Sequence, residues 1–292
     1  MIGVDWGTSS FRAYLLGEDG TIRDRVSRPG GIMHVEGGRF AEALREAIGP
    51  WLDAGERRVL LSGMIGSRQG WVEAPYLPCP ADAAAIAGAL ADVPFEGAQV
   101  KLVPGLSDAD EFGVPEVMRG EETQILGVLE ELGGEGIACL PGSHSKWARI
   151  SGARILGYRT FLSGEAFAAL RGGTILGRMM NDSPTDTAAF DAGVARARQG
   201  GHLLHQLFGV RTLGLFDRLS PDASASYLSG LLVGHEVGAA LPAGARVRLI
   251  GAPALCGLYS RAIVACGGTA ETMDSDAAAR GLARIGKDAR WT

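Results

Sequence analysis

The fold is decided by the first ten residues, Met1-Ile2-Gly3-Val4-Asp5-Trp6-Gly7-Thr8-Ser9-Ser10. A short apolar run ends at Asp5, and a turn of small residues at 7–10 separates it from a second apolar run at 11–16. A hairpin of this kind offers backbone N–H groups and hydroxyls to an anion, and Asp5 at its mouth is placed to hold the anion's metal ion. The stretch therefore predicts a phosphate-binding hairpin, although such a turn standing alone is usually only a tight turn.

The bulk composition is that of a folded α/β protein. A length of 292 residues predicts two domains, with one large α/β domain as the alternative, and 46% hydrophobic residues suffice for a full core. The formal net charge of −5 argues against nucleic acid or an anionic membrane surface as a partner. No apolar run reaches the roughly 20 residues of a membrane helix, and the N-terminus does not have the pattern of a signal peptide.

The four cysteines are spaced in a way that argues against a structural zinc site. Cys79, Cys139, Cys256 and Cys266 form no C-x-x-C pair, and no histidine cluster lies near them. Reduced, mostly buried thiols of this kind are typical of cytosolic proteins. The sequence therefore predicts a cytoplasmic protein.

The first 110 residues alternate between strand and helix patterns. Strands are predicted at 2–5, 11–16, 21–28, 59–62 and 98–103, and helices at 39–54 and 82–91. This mixture indicates a mixed sheet with helices on its faces. The stretch 104–115 is rich in turn residues and acids and predicts a domain boundary. We accordingly expect an N-terminal lobe over 1–112 and a C-terminal lobe over 113–292.

The opening pattern recurs after this boundary. A helix from Glu121 is predicted to run to the Gly133-Gly134 pair, and strands at 136–140, 146–150 and 155–161 then surround a small-residue turn at 141–145. The remaining predicted elements are helices at 164–172, 185–199 and 222–240, a strand at 246–250, a helix from 253 to 266, a strand at 269–273 and a final helix from 276. A second three-stranded meander predicts an internally duplicated, two-lobed fold.

The phosphate-binding pattern is neither of the two best-known helix-opening motifs. The chain contains no G-x-x-x-x-G-K-[ST] sequence, and no G-x-G-x-x-G follows the first strand. Both of those motifs open a helix, whereas the segment after Gly7 has a strand pattern. The chain instead has one small-residue turn in each half, and two such turns facing each other across a cleft are suited to a polyphosphate.

Five blocks resemble motifs of the superfamily of sugar kinases, actin and heat-shock ATPases. They are DWGTSSFR at 5–12, LSGMIGSRQ at 61–69, RGEETQILG at 119–127, GSHS at 142–145 and LIGAP at 249–253. In chain order they resemble the first phosphate motif, a substrate-contacting strand end, the helix start that carries the catalytic acid, the second phosphate turn and the adenosine turn. The resemblance implies an α/β, ribonuclease H-like (actin-like ATPase) fold of two duplicated lobes. Each lobe is expected to be a mixed sheet flanked by helices, with ATP in the cleft between the lobes.

A closer resemblance covers nearly the whole chain. The blocks GMIGSRQGW at 63–71, MRGEETQ at 118–124, LPGSHSKW at 140–147, TFLSGE at 160–165 and YLSGLL at 227–232 are similar to the 2-dehydro-3-deoxygalactonokinase family. This resemblance implies ATP-dependent phosphorylation of the 6-hydroxyl of 2-dehydro-3-deoxy-D-galactonate, in galactonate catabolism, with ATP and Mg²⁺ as cofactors. The expected partners are the sugar acid and ATP, without nucleic acid or membrane, and the expected state is a monomer or a homodimer.

The resemblances and the residue chemistry together predict the groups that bind ATP. Phosphate is expected at Gly7, Thr8, Ser9, Ser10 and Arg12, and at Gly142, Ser143, His144 and Ser145. Adenosine is expected at Gly251, Ala252 and Pro253. Asp5 is expected to hold Mg²⁺ through water, because Mg²⁺ keeps much of its hydration shell.

Glu121 is the candidate catalytic base, and Asp5 is the second candidate catalytic residue. The resemblance aligns Glu121 with the superfamily's catalytic Asp. Because Glu is one methylene longer, Glu122 and the acids at 108–110 remain alternatives. A carboxylate at a helix N-terminus is stabilised in its charged form and can accept a proton.

The acceptor side is predicted from the chemistry of a sugar acid. Arginine is the natural bidentate partner of a carboxylate, and Arg68 follows a buried strand and a Gly-Ser turn. Arg68 is therefore predicted to bind the acceptor, with Ser67 as a neighbouring hydroxyl donor. Glu122 and Glu165 complete the predicted substrate-binding residues.

Two other functions remain open on the same fold. One is a kinase for another sugar or sugar acid. The other is a phosphohydrolase of polyphosphate or nucleotides, a class that also has a Glu-Glu helix start near its phosphate turns. Such a hydrolase would release phosphate without an acceptor sugar.

Overall fold

The strands and helices follow the apolar pattern of the sequence in most places. The structure is a computed structural model that describes residues 1–274 and 276–291. Its strands are β1 (Ile2–Trp6), β2 (Ser10–Leu16), β3 (Ile22–Pro29), β4 (Arg58–Ser62), β5 (Tyr76–Pro78), β6 (Ala91–Val93), β7 (Gln99–Leu102), β8 (Gly105–Ala109), β9 (Pro115–Met118), β10 (Glu135–Leu140), β11 (Ser145–Ser151), β12 (Arg154–Phe161), β13 (Arg246–Leu249) and β14 (Thr269–Thr272). Its α-helices are α1 (Phe40–Asp53), α2 (Ala83–Gly88), α3 (Glu121–Gly127), α4 (Ser163–Gly173), α5 (Thr187–Arg198), α6 (Leu203–Leu215), α7 (Pro221–Ala240), α8 (Pro253–Ala265) and α9 (Ala277–Asp288).

The chain divides into two compact units by its internal contacts. The first consists of Met1–Glu135, Ala148–Tyr158 and Asp274–Thr292, and the second of Gly136–Trp147 and Arg159–Met273. The lobe boundary at residue 112 stays a prediction. None of the helices in the described part of the chain has the length and apolar character needed to cross a membrane.

The first sheet carries the opening hairpin at its centre. Its strand order is β3-β2-β1-β4-β7-β6. β1 pairs antiparallel with β2 and parallel with β4, which in turn pairs parallel with β7. The apolar face of α1, with Leu44, Ile48 and Trp51, packs in the same core as Val4 and Trp6 of β1. This core fixes the direction in which β1 and β4 end.

The second sheet repeats this order. It runs β12-β11-β10-β13-β14, and β10, β13 and β14 are parallel neighbours. In both sheets a three-strand meander is followed by two parallel strands on the side of the meander's first strand, and the first sheet adds β6 at its edge. The repeated order confirms the predicted duplicated α/β, ribonuclease H-like fold. In the second unit, α5, α7 and α8 supply much of the core, including Phe190, Val237 and Ile263.

Two predicted elements of the first unit differ from the structure. The stretch 104–115, predicted to be irregular, contains β8 and leads into β9, and both belong to a three-stranded sheet of order β5-β8-β9. This pairing joins residues distant in sequence, so local pattern did not show it. The helix predicted over 82–91 begins as expected, with the Asp82 carboxylate accepting the Ala85 N–H at 2.8 Å. It ends at Gly88, and Ala91–Val93 is a strand antiparallel to β7.

The helix that begins at Glu121 is shorter than predicted. It ends at Gly127 and not near residue 132. Here α3 meets α9 at glycines: a side chain at Gly127 would overlap the Ala277 carbonyl, and one at Gly281 would overlap the Thr123 carbonyl. α9 therefore supports the helix that carries the candidate base.

Helix α6 is a further difference from the prediction. The sequence did not predict it, because apolar residues occur all around it.

Candidate active site

The candidate base and Asp5 are brought together by two backbone loops of the first unit. Asp5 and Ser62 are register partners where β1 and β4 end. Gly63 (φ +97°) and Gly120 (φ +105°) both have left-handed backbone. A Cβ on Gly63 would lie 2.8 Å from the Trp6 carbonyl oxygen, and one on Gly120 would lie 3.1 Å from the Gly63 Cα. Only glycine lets these backbones come this close.

The turn at 7–10 presents its amides in one direction. Its own closing hydrogen bond runs from the Gly7 N–H to the Ser10 carbonyl at 2.9 Å. The carbonyls of Gly7, Thr8 and Ser9 accept hydrogen bonds from the N–H groups of Ile32 (3.0 Å), Met33 (3.4 Å) and Gly30 (3.4 Å), respectively. A trans peptide points its N–H opposite to its C=O. The N–H groups of Thr8, Ser9 and Ser10 therefore point away from the 30–33 segment, as an anion site requires.

Gly31 is a site-shaping residue that the sequence reasoning missed. Any Cβ at this position would overlap the carbonyl of Thr8 and the amide nitrogen of Ser9. Its φ of −64° is ordinary, so the glycine is required by close approach and not by backbone conformation. The Gly30-Gly31 pair directly after β3 was the available signal. Gly31 allows the 30–33 segment to hold the carbonyls of the phosphate turn.

Glu121 and Glu122 fold back onto the backbone that precedes them. A Glu121 carboxylate oxygen accepts the Arg119 N–H at 3.0 Å. The carboxylate of Glu122, which is fully buried, accepts the Gly120 N–H at 2.7 Å and the Thr123 hydroxyl at 3.1 Å. The Thr123 hydroxyl also contacts the Ser62 hydroxyl at 2.8 Å. This chain of contacts ties the start of α3 to the end of β4.

The acid cluster, which we define as Asp5, Glu121 and Glu122, carries more negative charge than its surroundings balance. Burial, with the charge of Glu121 adding to it, raises the pKa of Glu122 to about 8. Burial also raises the pKa of Asp5 to about 6; Arg12 lowers it and Glu121 raises it further. Glu122 is therefore mainly protonated at pH 7 and unsuited to be the base.

A cation would relieve the charge at Asp5. Asp5 forms an ion pair with Arg12, whose nitrogen lies 3.7 Å from the carboxylate and whose side chain is 46% exposed. Across the described residues, no three or more His, Cys, Asp or Glu side chains are grouped so that they could hold a metal ion. Asp5 therefore fits a Mg²⁺ ion that takes most of its ligands from phosphate oxygens and water.

The two arginines near the predicted acceptor side differ in environment. Arg68 is 88% exposed and forms an ion pair with Glu73 at 2.9 Å. Arg119, for which the sequence predicted no role, is buried and lies over the Tyr76 ring with its guanidinium carbon 4.4 Å from the ring centre. Ser67 lies in the turn after β4, and its hydroxyl accepts the Gln69 N–H at 3.3 Å. Of the two arginines, the exposed Arg68 is the one that the sequence predicted to bind the substrate carboxylate.

The second unit brings its two predicted turns to one strand edge. Cys139 and Leu249 are register partners in the parallel pair β10 and β13, so the turns that follow at 141–145 and 251–253 are neighbours. α4 begins against the first of these turns: the Glu165 N–H donates to the Ser143 carbonyl at 3.0 Å. His144 contacts the Glu165 carboxylate, and both side chains are about half exposed. Glu165, predicted to bind substrate, is thus paired with a predicted phosphate ligand.

A buried network behind this turn was not predicted. Glu236 on α7 accepts the indole N–H of Trp147 at 2.8 Å with one carboxylate oxygen. Its other oxygen, the Ser145 hydroxyl and the Tyr259 hydroxyl lie 2.8 to 3.1 Å from one another. Burial raises the pKa of Glu236, while its hydrogen bonds oppose that rise. The Ser145 hydroxyl, which we expected to face phosphate, is thus used inside the second unit.

A cavity of about 420 Å³ opens beside the same turn. Its lining includes Gly142, Ser143, Phe167, Leu255, Leu258 and Tyr259. The predicted adenosine turn leads directly into α8, which begins at Pro253 and supplies the last three of these residues. The lining combines apolar side chains with polar ones such as Ser183 and Arg171, as small-molecule sites commonly do. Phe167, Leu255 and Leu258 were missed, although the apolar positions just after the Gly-Ala-Pro turn were a visible signal.

The predicted site residues fall into two groups. The first unit holds Asp5, Gly7, Thr8, Ser9, Ser10, Arg12, Ser67, Arg68, Glu121 and Glu122. The second unit holds Gly142, Ser143, His144, Ser145, Glu165, Gly251, Ala252 and Pro253. The acid cluster and one predicted phosphate turn thus belong to the first unit, and the 420 Å³ cavity belongs to the second.

Comparison with known proteins assigns the chain to a family. A model of the family 2-keto-3-deoxy-galactonokinase matches residues 5–285. The chain is 36% identical to the probable 2-dehydro-3-deoxygalactonokinase DgoK1 of Rhizobium meliloti (strain 1021), covering 99% of this chain and 96% of that protein. It is 33% identical to the 2-dehydro-3-deoxygalactonokinase of Escherichia coli (strain K12), covering 81% and 78%.

A solved structure gives the same result. A crystal structure from Sinorhizobium meliloti, assigned as a 2-dehydro-3-deoxygalactonokinase, superposes with a TM-score of 0.89 at 34% identity and covers 97% of each chain. Sequence and structure therefore agree over almost the full length. The protein belongs to the 2-keto-3-deoxy-galactonokinase family of kinases.

Proposed function

We propose that this protein transfers the γ-phosphoryl group of ATP to the 6-hydroxyl of 2-dehydro-3-deoxy-D-galactonate. The observation that carries the proposal is the acid cluster beside the amide-lined turn at 7–10, in a chain of this kinase family. Phosphoryl transfer depends on positioning, on charge neutralisation and on a base for the attacking hydroxyl. The first unit contains a candidate group for each of these tasks.

Glu121 is the proposed base, at the N-terminus of α3. It accepts the proton of the acceptor hydroxyl as that oxygen attacks phosphorus. Glu122 holds the start of α3 in place through Gly120 and Thr123. The pKa of Glu122 is raised to about 8, so Glu122 is not the proposed base.

The amides of Thr8, Ser9 and Ser10 are proposed to bind phosphate oxygens, with Arg12 adding a charged donor. Asp5 is proposed to hold Mg²⁺, which supplies charge neutralisation of the phosphates when bound. In the second unit, Gly142, Ser143 and His144 are proposed phosphate contacts. The 420 Å³ cavity and the turn at 251–253 are proposed to receive adenosine.

The setting we propose is galactonate catabolism in the cytoplasm. All four cysteines are free thiols, as the composition predicted. Such thiols agree with a reducing compartment.

The test is ADP release by the purified protein with ATP, Mg²⁺ and a panel of acceptors. The panel contains 2-dehydro-3-deoxy-D-galactonate, its gluconate epimer, neutral hexoses and a sample without acceptor. We expect ADP release that depends on the galactonate compound, with the new phosphate at C6 by ³¹P–¹H NMR. Release with a different acceptor indicates another sugar kinase. Inorganic phosphate formed without acceptor indicates the phosphohydrolase, and either result overturns the proposal.

A further inference from the structure

Arg119 is a buried cation whose hydrogen-bonding capacity is largely unused. Arg119 stands in the chain between β9 and α3 and is only 8% exposed. One guanidinium nitrogen, Nη2, donates to the Ala74 carbonyl at 2.7 Å. Nε and Nη1 have no hydrogen-bond partner among the described residues. The guanidinium also makes a cation–π contact with the Tyr76 ring, whose centre lies 4.4 Å from the guanidinium carbon.

This arrangement is costly unless an anion completes it. Arginine stays protonated in proteins, and burying a charge without a partner carries a large desolvation penalty. Each unpaired buried donor adds to that penalty. Among the ion pairs of the described chain, none includes Arg119. Arg119 therefore has unused donors that could bind a negatively charged group that accepts hydrogen bonds.

The unpaired donors of Arg119 lie close to the proposed base and to a predicted acceptor-binding residue. Its own N–H is bonded to the carboxylate of Glu121, the proposed base. Its Nη1 lies against the turn after β4, since a Cβ on Gly66 would be 2.9 Å from that nitrogen. Gly66 precedes Ser67, one of the predicted acceptor-binding residues. The unpaired donors thus lie where the acceptor end of the site was expected.

Arg68 is less suited to this task. It is 88% exposed and already paired with Glu73. An exposed ion pair contributes little, because water screens it. A carboxylate bound at Arg68 would compete with Glu73 for the guanidinium, whereas Arg119 has two nitrogens without a hydrogen-bond partner.

We propose that Arg119 recognises the carboxylate of the sugar acid and sets the preference for acids over neutral sugars. The inference rests on the proposed function and assigns its acceptor specificity to a residue other than the predicted Arg68. The two unpaired nitrogens are covered in this structure, so the carboxylate reaches them only if the surrounding turns shift on binding. A substrate-dependent shift of the turn at 66–67 is part of the proposal.

The experiment compares two acceptors that differ only in charge. They are the sugar acid that serves the wild-type enzyme best and its C1 primary amide, each assayed for kcat/KM. We expect Arg119→Met to reduce the acid-over-amide preference about 10- to 100-fold, the effect of losing charged hydrogen bonds. Arg119→Lys should keep part of the preference, because it keeps the charge but not the planar fork. ATP affinity should be unchanged in both.

Arg45→Met is the matched control. Arg45 also lies over an aromatic ring, that of Phe95, and also donates to a backbone carbonyl, but it is exposed. This variant should keep the wild-type preference. Arg68→Met tests the rival directly, and loss of acid preference in that variant would transfer the role to Arg68.

Gly66→Ala is the second variant, in case Arg119→Met does not fold. It leaves the arginine intact but places a methyl group 2.9 Å from Nη1, and we expect the acid preference to fall. Equal losses with acid and amide in the Arg119 and Gly66 variants would overturn the inference and give Arg119 a structural role only. A wild-type protein that phosphorylates neither compound would count against the proposed function itself.

Discussion

Buried carboxylates occur in both units, but their surroundings are opposite. In the first unit, Asp5, Glu121 and Glu122 lie together, and the charge of Glu121 adds to the raised pKa of both its neighbours. In the second unit, Glu236 is a single acid that receives hydrogen bonds from Ser145, Trp147 and Tyr259. The negative charge of the first group is not balanced by its surroundings, whereas both carboxylate oxygens of Glu236 accept hydrogen bonds.

This difference distinguishes a reactive site from a structural one. Acids that repel one another destabilise the folded state, and binding of a cation or a proton-donating substrate would relieve that repulsion. An acid surrounded by donors stabilises the fold and has no capacity left for a ligand. Removing acids should therefore have opposite effects on stability in the two units.

The largest expected effect is that of Glu121→Gln on turnover. Loss of the base should lower kcat by about 1,000-fold, in the range typical for a general base, while the Kd for ATP stays nearly unchanged. Steady-state ADP release and calorimetric ATP binding measure the two quantities. Glu122→Gln is the matched control, because Glu122 is already protonated at pH 7 and its amide variant should retain most activity. Near-normal turnover of Glu121→Gln would place the base elsewhere.

Asp5→Asn should separate activity from stability. We expect turnover at saturating Mg²⁺ to fall by about 100-fold, as when one electrostatic group of a reaction site is removed. The fold should become more stable by up to about 3 kcal/mol at pH 7, because a pKa raised from 3.8 to about 6 penalises the ionised form. Urea unfolding and ADP release test this pair of effects. A loss of stability would show that the Asp5 charge is well compensated.

Glu122 should make the protein less stable as pH rises. Its folded-state pKa of about 8 exceeds its ordinary value of 4.5, so the folded state holds a proton that the unfolded state has released. Stability is thus lost as pH rises from about 4.5 to about 8. Glu122→Gln should remove this part of the slope and be more stable by about 3 kcal/mol at pH 7. Urea unfolding between pH 5 and pH 9 measures it, and parallel curves for the two proteins would contradict it.

The smallest effect, of opposite sign, is expected at Glu236. Glu236→Leu should cost about 1 to 3 kcal/mol, because it leaves the buried Trp147 N–H without an acceptor. Glu236→Gln should be nearly neutral, since its oxygen can accept from Trp147 and its amide can donate to Ser145 and Tyr259. Thermal and urea unfolding of both variants provide the comparison. An equally large loss in Glu236→Gln would show that the negative charge itself is needed.

Much of the fold was predictable because local patterns of apolar residues indicate its strands and helices. The β1–β2 hairpin follows from apolar runs around a small-residue turn, and α1 follows from its repeated apolar face. The repeated strand order followed from the second meander. β8 and α6 were missed for opposite reasons: β8 depends on a partner strand distant in sequence, and α6 is apolar on too many sides to show a face.

The candidate site was predictable in its residue types and less so in their arrangement. Glu121 was chosen because the resemblance aligns it with a catalytic Asp at a helix start, and the helix begins there. Two adjacent identical residues do not reveal that Glu122 is the buried one and that its pKa is raised. Arg68 and Arg119 were likewise equivalent as sequence, but one is exposed and the other is buried with unpaired donors.

The sequence by itself determined the duplicated α/β architecture and the two small-residue turns, because these depend on residue type and local spacing, and its motif blocks indicated the family by their resemblance. Only the tertiary structure decided which acid of the pair is buried, which arginine lacks a partner and why Gly31 must be a glycine. Those properties arise from segments that meet in space, such as the 30–33 segment against the phosphate turn. Burial and pairing set the charge state of a side chain, and neither is a property of the residue alone.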